Sequence, residues 1–180
     1  MQKFELELDH SIAYFRKSKV LTGDRIRDKT YHAFGKKGGF AFAAKSDESL
    51  FDFWLFNGRF FAIEAKQTAE KSMPYKNIQP HQIENLELVY SQGGVGVFLV
   101  NFRSIGKRGK ESWNVMYALK IEDFLKHSSS TTRSSIEFEY FKEYGYKIDR
   151  VRVGFTKPKK KTNEPKPKIG WDLASLRWMK

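Results

Sequence analysis

Apolar residues recur at helical spacing through residues 3–17, where Phe4, Leu8, Ile12 and Phe15 form one stripe, and this predicts an amphipathic helix. Residues 19–38 break the pattern. They are polar, basic and glycine-bearing apart from Tyr31 to Phe34, and read as a loop or projecting segment. Strand-like residues follow at 39–44, 50–56 and 60–67, the last two joined across Asn57-Gly58. After a polar connection at 68–79, Pro80 is placed to open a helix carrying Gln82, Ile83, Leu86, Val89 and Tyr90, which stops at Gly93-Gly94. The apolar run 95–102 reads as a buried strand. A strand, a crossover helix and a second strand form a βαβ unit, so a parallel pair adjoins an antiparallel hairpin. The expected fold class is α/β (α+β), with a central mixed β-sheet flanked by helices.

Farther on, 113–119 is expected as a strand, 121–127 as a short helix, 128–135 as a serine- and threonine-rich loop, 136–144 as a helix and 151–155 as a strand. Residues 157–168 are rich in lysine and proline and read as a flexible basic segment. A last strand is expected at 169–173, because Ile169 and Trp171 would be wasted in a tail. Trp113, Trp171 and Trp178 are read as core or interface residues. The expected organisation is one domain over 1–156, in which 23–47 could project as a stalk, then the basic segment 157–168 and a C-terminal strand and tail at 169–180.

Register decides what the hairpin can do, because residues opposite one another in an antiparallel pair share a face. A two-residue loop would put Asp52 opposite Ile63 and send the carboxylates of Asp52 and Glu64 to opposite sides of the sheet. A three-residue loop, Asn57-Gly58-Arg59, with glycine at positive φ, pairs Phe56 with Phe60 and brings Asp52 opposite Glu64. One face then reads Phe51, Phe53, Leu55, Phe61, Ile63 and Ala65, all apolar, while Asp52, Glu64 and Lys66 share the other. The three-residue loop is therefore expected. Opposed Cβ atoms lie about 5 Å apart, within reach of one divalent metal ion held at roughly 2.1 Å if it is magnesium. Such an ion activates water against a phosphodiester, which points to a metal-dependent nuclease. Lys66, between carboxylates, stays cationic and stabilises phosphate charge in preference to acting as a base.

The charge balance supports a polyanionic partner. Thirty-three lysines and arginines stand against 21 acids, a formal net charge of +12 over 180 residues, far from the usual near-balance. No long apolar span, signal peptide or lipidation motif favours a membrane. The absence of cysteine fits a reducing, cytoplasmic compartment and excludes thiolate zinc sites. Phosphate contacts are expected from Arg25, Arg27, Lys36 and Lys37 in the early loop, Arg59 at the hairpin turn, and Lys71 and Lys76 before the crossover helix. Further contacts are expected from Arg103, Lys107, Arg108 and Lys110 after the buried strand, and from Lys157, Lys159, Lys160 and Lys161.

Three stretches carry a resemblance. Ile63-Glu64-Ala65-Lys66-Gln67-Thr68 resembles the E-A-K-E-T stretch of the RecU-type Holliday-junction resolvases, within the PD-(D/E)XK nuclease superfamily. His81-Gln82-Ile83-Glu84 resembles that family's segment at the start of the crossover helix, and Phe4-Glu5-Leu6-Glu7-Leu8 its F-E-x-x-[LI] pattern. The resemblance implies a restriction-endonuclease-like core, with Asp52, Glu64 and the carbonyl of Ala65 as metal ligands and Glu5 as an accessory acid. It further implies that Lys66 positions the attacking water, that Gln82 orients water or a ligand, and that magnesium, or manganese in its place, is the cofactor. Members are homodimers that nick four-way DNA junctions symmetrically, each subunit projecting a stalk. The composition would suit a bacteriophage or a low-GC bacterium. Two alternatives stand: another nuclease of the superfamily acting on linear or flapped DNA, and a non-catalytic basic DNA-binding protein in which Asp52, Glu64 and Lys66 form a structural ion-pair cluster.

Overall fold

The computed structural model describes residues 3–26, 30–32, 43–45, 49–105, 111–156 and 165–179. The first helix, α1 (Lys3–Lys17), forms where the apolar stripe placed it. The strands that follow are β1 (Thr22–Arg25), β2 (Thr30–His32), β3 (Ala43–Lys45), β4 (Phe53–Phe56), β5 (Phe60–Thr68) and β6 (Ser72–Pro74). The crossover helix α2 (Pro80–Ser91) leads to β7 (Val95–Ile105), β8 (Glu111–Lys120) and α3 (Ile121–Ser130). The remainder comprises β9 (Ser135–Glu137), α4 (Phe138–Tyr144), β10 (Tyr146–Ile148), β11 (Arg150–Phe155), β12 (Pro167–Trp171) and a 3-10 segment, Leu173–Trp178.

A six-stranded sheet in the order β1-β4-β5-β7-β8-β10 forms the middle layer. Only β5 and β7 run parallel within it, joined through α2 as expected. Both faces are covered. Phe4, Leu8 and Ile12 of α1 and Trp171, Leu173 and Leu176 of the C-terminal segment pack on one face, over Phe53, Leu55, Phe61, Ile63, Val97 and Leu99. Leu86 of α2, Phe124 of α3 and Phe141 of α4 cover the other, over Ala62, Phe98, Val100 and Phe102. The crossover helix approaches so closely that a Cβ on Gly96 would lie 2.5 Å from the carbonyl oxygen of Leu86.

The hairpin has the three-residue loop. Phe56 pairs with Phe60, and Gly58 takes φ +102°. Several expectations change. Thr22–Arg25, read as loop, is an edge strand on β4; its polar sequence hides the pairing because one side faces no neighbour. Among the described residues of the expected projection at 23–47, β2 and β3 pair with each other in a separate two-stranded sheet. Helix α3 runs on into the serines, whose hydroxyls donate to the carbonyls of Leu125, Lys126 and His127 three residues back and so satisfy its last turn. Ser135, expected as loop, and residues 136–137, expected as helix, instead form β9 and pair with β6, a contact between distant segments that no local period reveals. The final strand begins at Pro167, so part of the expected flexible segment is paired with β11.

Candidate metal and phosphodiester site

Just before β4 begins, the chain bends at Asp52, and that bend builds the site. The ladder with β5 stops at Phe53, after which the Asp52 N–H donates to the carbonyl of Ile63 at 3.0 Å. Phe51 is thereby turned into the opposite hydrophobic cluster, contrary to the strict alternation expected of it. The Asp52 carboxylate takes the place of the missing strand: its Oδ2 accepts from the Ala65 N–H at 2.8 Å. An extended residue directs its N–H and C=O to the same side, so the Ala65 carbonyl faces this gap too.

Glu64 lies between the end of β4 and the middle of β7, opposite Phe98, and is 1% exposed. Its Oε2 accepts from Gln82 Nε2 at 2.9 Å and stands 3.6 Å from Lys66 Nζ. Gln82 Oε1 in turn accepts from Lys66 Nζ at 2.7 Å and from the Gln79 N–H at 3.1 Å. Gln82 occupies the third position of α2, so a residue closing the helix's first turn also aims its amide at β5. Burial pushes the Glu64 carboxyl up to about 8; the charge of Asp52 and a hydrogen bond with it push the same way, against the pull of Lys66. Two adjoining carboxyls, of which one holds its proton at neutral pH, are short of positive charge. That deficit, with a backbone carbonyl facing the same gap, fits a hard divalent cation.

The other expected residues divide. Glu5 does not join the pair; its Oε2 accepts from Arg25 Nη2 at 2.8 Å, and Arg25 lies over the Phe53 ring. Among the described residues, no three histidines or acids gather to hold a metal. The Glu5 ion pair also occupies Arg25. Arg59 donates to the carbonyl of Met179 and covers Phe61. Arg103 is not at the surface: it is 5% exposed and paired with Glu7 at 3.3 Å, so it offers no phosphate contact. Lys71 and Lys76 are exposed on the segment between β5 and α2. Arg27, Lys36, Lys37, Lys107, Arg108, Lys110, Lys157, Lys159, Lys160 and Lys161 lie outside the described residues.

Glu7 was not anticipated. Besides Arg103, its carboxylate accepts from Trp171 Nε1 at 3.2 Å and stands 3.8 Å from Arg150. It sits on the apolar stripe of α1, three residues after Phe4 and beside Leu8, and an acid on a core-facing stripe was the available signal.

The family model described as Recombination protein U matches residues 2–157. The Holliday junction resolvase RecU of Ureaplasma parvum is 28% identical over 124 residues, 69% of this chain and 67% of that protein. The protein of the same name from Streptococcus pneumoniae P1031 is 32% identical over 96 residues, 52% of this chain and 44% of its own, so the match spans less than half of that relative. The solved Holliday junction resolvase Hjc of Archaeoglobus fulgidus is similar at a TM-score of 0.46 and 14% identity, over 81% of this chain and 93% of that one.

Proposed function

Because the chain belongs to the Recombination protein U family, we propose that it is a metal-dependent endonuclease that resolves four-way DNA junctions by paired nicks. The observation that carries this reading is the joining of Asp52, Glu64, Lys66 and Gln82 by direct hydrogen bonds and charge across one strand gap. Asp52, Glu64 and the Ala65 carbonyl would hold magnesium, for which manganese substitutes because the donors are all hard oxygens. Bound there, the ion lowers the pKa of its water and offsets charge on the scissile phosphate.

This chain's residues supply the rest. Glu64, held by the Gln82 amide and beside Lys66 Nζ, would serve the ion as a ligand through its ionised carboxylate. Lys66 Nζ, held by Gln82 and 17% exposed, is directed at the phosphate that would bridge the gap and stabilises its developing charge. Gln82 keeps Lys66 and Glu64 at a fixed separation and orients the attacking water. Glu5 acts on this reading through Arg25, by holding β1 beside the bend at Asp52. Lys71 and Lys76 take up DNA phosphates next to the site. Two symmetric cuts need two such sites, so the working unit is a homodimer, acting on branched DNA in the cytoplasm. No helix among the described residues is long and apolar enough to cross a membrane.

The test is a labelled four-way junction and a matched linear duplex, each with magnesium or chelator, beside a Glu64→Ala variant. Paired magnesium-dependent nicks in the junction alone, lost in the variant, are expected. Equal cutting of the linear duplex would replace the junction reading with a general nuclease, and tight binding without cleavage would leave only a DNA-binding protein.

A further inference from the structure

On the outward side of α1, away from the sheet face that carries Glu64, a groove of about 560 Å³ runs between this helix and the β11–β12 ribbon. His10, Tyr14 and Lys17 line it from the helix, Ser18 from the turn that follows, and Gly154 and Lys168 from the ribbon. Neither Lys17 nor Lys168 has an ion-pair partner among the described residues. Lys168 instead stands beside another basic group: after burial, its ammonium is the largest influence lowering the His10 imidazole. Two acids on the same turn of helix oppose it: Glu7, which is engaged by Arg103 and Trp171, and Asp9, whose influence on His10 is smaller than that of Lys168. A cation in the last turn of α1 meets the helix dipole, and this alone accounts for Lys17. It does not account for Lys168, which comes from a separate strand and converges on the same groove.

The groove also lies apart from the catalytic gap. Glu7 on α1 meets Arg103 near the end of β7, whereas the chain leaving α1, at Lys19 to Leu21, lines a cavity with Asn57 and Gly58 at the hairpin turn. Glu64 to Phe60, where β5 leaves that turn, spans about 13 Å at roughly 3.3 Å per residue. A single straight duplex on the catalytic gap has no reason to turn onto the other face of the molecule. A branched substrate has arms leaving in several directions.

We infer that the groove between α1 and the β11–β12 ribbon is a second phosphate-binding surface, which holds the backbone of a DNA arm leaving the catalytic face. The inference rests on DNA being the substrate. Lys17 and Lys168 contact phosphates, the Tyr14 hydroxyl adds a neutral donor, and the contact reads shape and charge without bases.

The test uses the full chain carrying Lys17→Gln and Lys168→Gln together, bound in chelator to a four-way junction and to a linear duplex across a series of salt concentrations. The control pair is Lys142→Gln with Lys147→Gln, lysines that already face Glu139 and Asp149. Each lost phosphate contact lowers the slope of log affinity against log salt by about 0.9. The groove pair is expected to make the junction slope shallower by about two and the control pair to leave it unchanged. An unchanged slope in the groove pair, or an equal change in both pairs, overturns the inference. Should the parent protein bind junction no better than duplex, the resolvase reading falls, whereas the groove inference falls only if the groove pair leaves the junction slope no shallower than the control pair does.

Discussion

Glu64 is an acid placed where its charge is costly, and the sign of that cost can be measured. Its folded-state value, about 8, lies above the ordinary 4.5, so the folded protein holds a proton that the unfolded chain has released. Stability in the absence of metal should therefore fall as pH rises from about 4.5 to about 8, by an amount on the order of a few kcal/mol. A Glu64→Gln variant keeps an oxygen acceptor for Gln82 and removes the titration. Thermal unfolding in chelator should show it level with the parent at pH 5 and more stable at pH 8. Magnesium should raise the parent's melting temperature and leave that of the variant unmoved. Gln82→Ala tests the other half of the arrangement. It removes the partner of both Lys66 and Glu64 and the side chain that closes the first turn of α2, and should slow single-turnover nicking by tenfold or more while lowering stability by about 1 kcal/mol.

At the scale of elements, α1 is fixed to the ribbon and to β7 by one buried carboxylate. Glu7→Ala would remove the carboxylate that faces Arg103, whose side chain is 3% exposed, and should destabilise the protein by about 3 kcal/mol in denaturant unfolding. Restoring a neutral partner with Glu7→Gln should recover part of that loss. The ribbon approaches equally tightly, since a Cβ on Gly170 would meet Ser11 Oγ at 2.3 Å. The contrast between Glu7 and the hairpin explains what sequence could reveal. The register of β4 and β5 was legible because one loop length alone makes a wholly apolar face. The α1 stripe and the Pro80 to Gly93 helix were legible from local periodicity and end signals. Strands β1, β6, β9 and β10 were not, because each has six or fewer residues and is defined by a distant partner. Within the site, Asp52, Glu64 and Lys66 could be read from alternation. The bend that lets Asp52 cap Ala65, and the capture of Glu5 by Arg25, depend on tertiary packing.

The whole molecule is a sheet with two cores, and one of them is completed from both ends of the described chain. Phe4, Leu8 and Ile12 share a cluster with Trp171, Leu173, Leu176 and Met179. The family match ends at residue 157, before that second group begins. Deleting residues 165–180 should uncover the α1 face of the sheet, and the truncated protein should lose its cooperative thermal transition and bind a hydrophobic dye. This joining of first and last segments also sets a schedule. Phe4 leaves the ribosome well before Trp171 and Met179, so the α1 core waits on residues 171–179 while β4, β5, α2 and β7 are already free to assemble. The carboxylate pair is thus carried on a half-closed scaffold until those residues emerge.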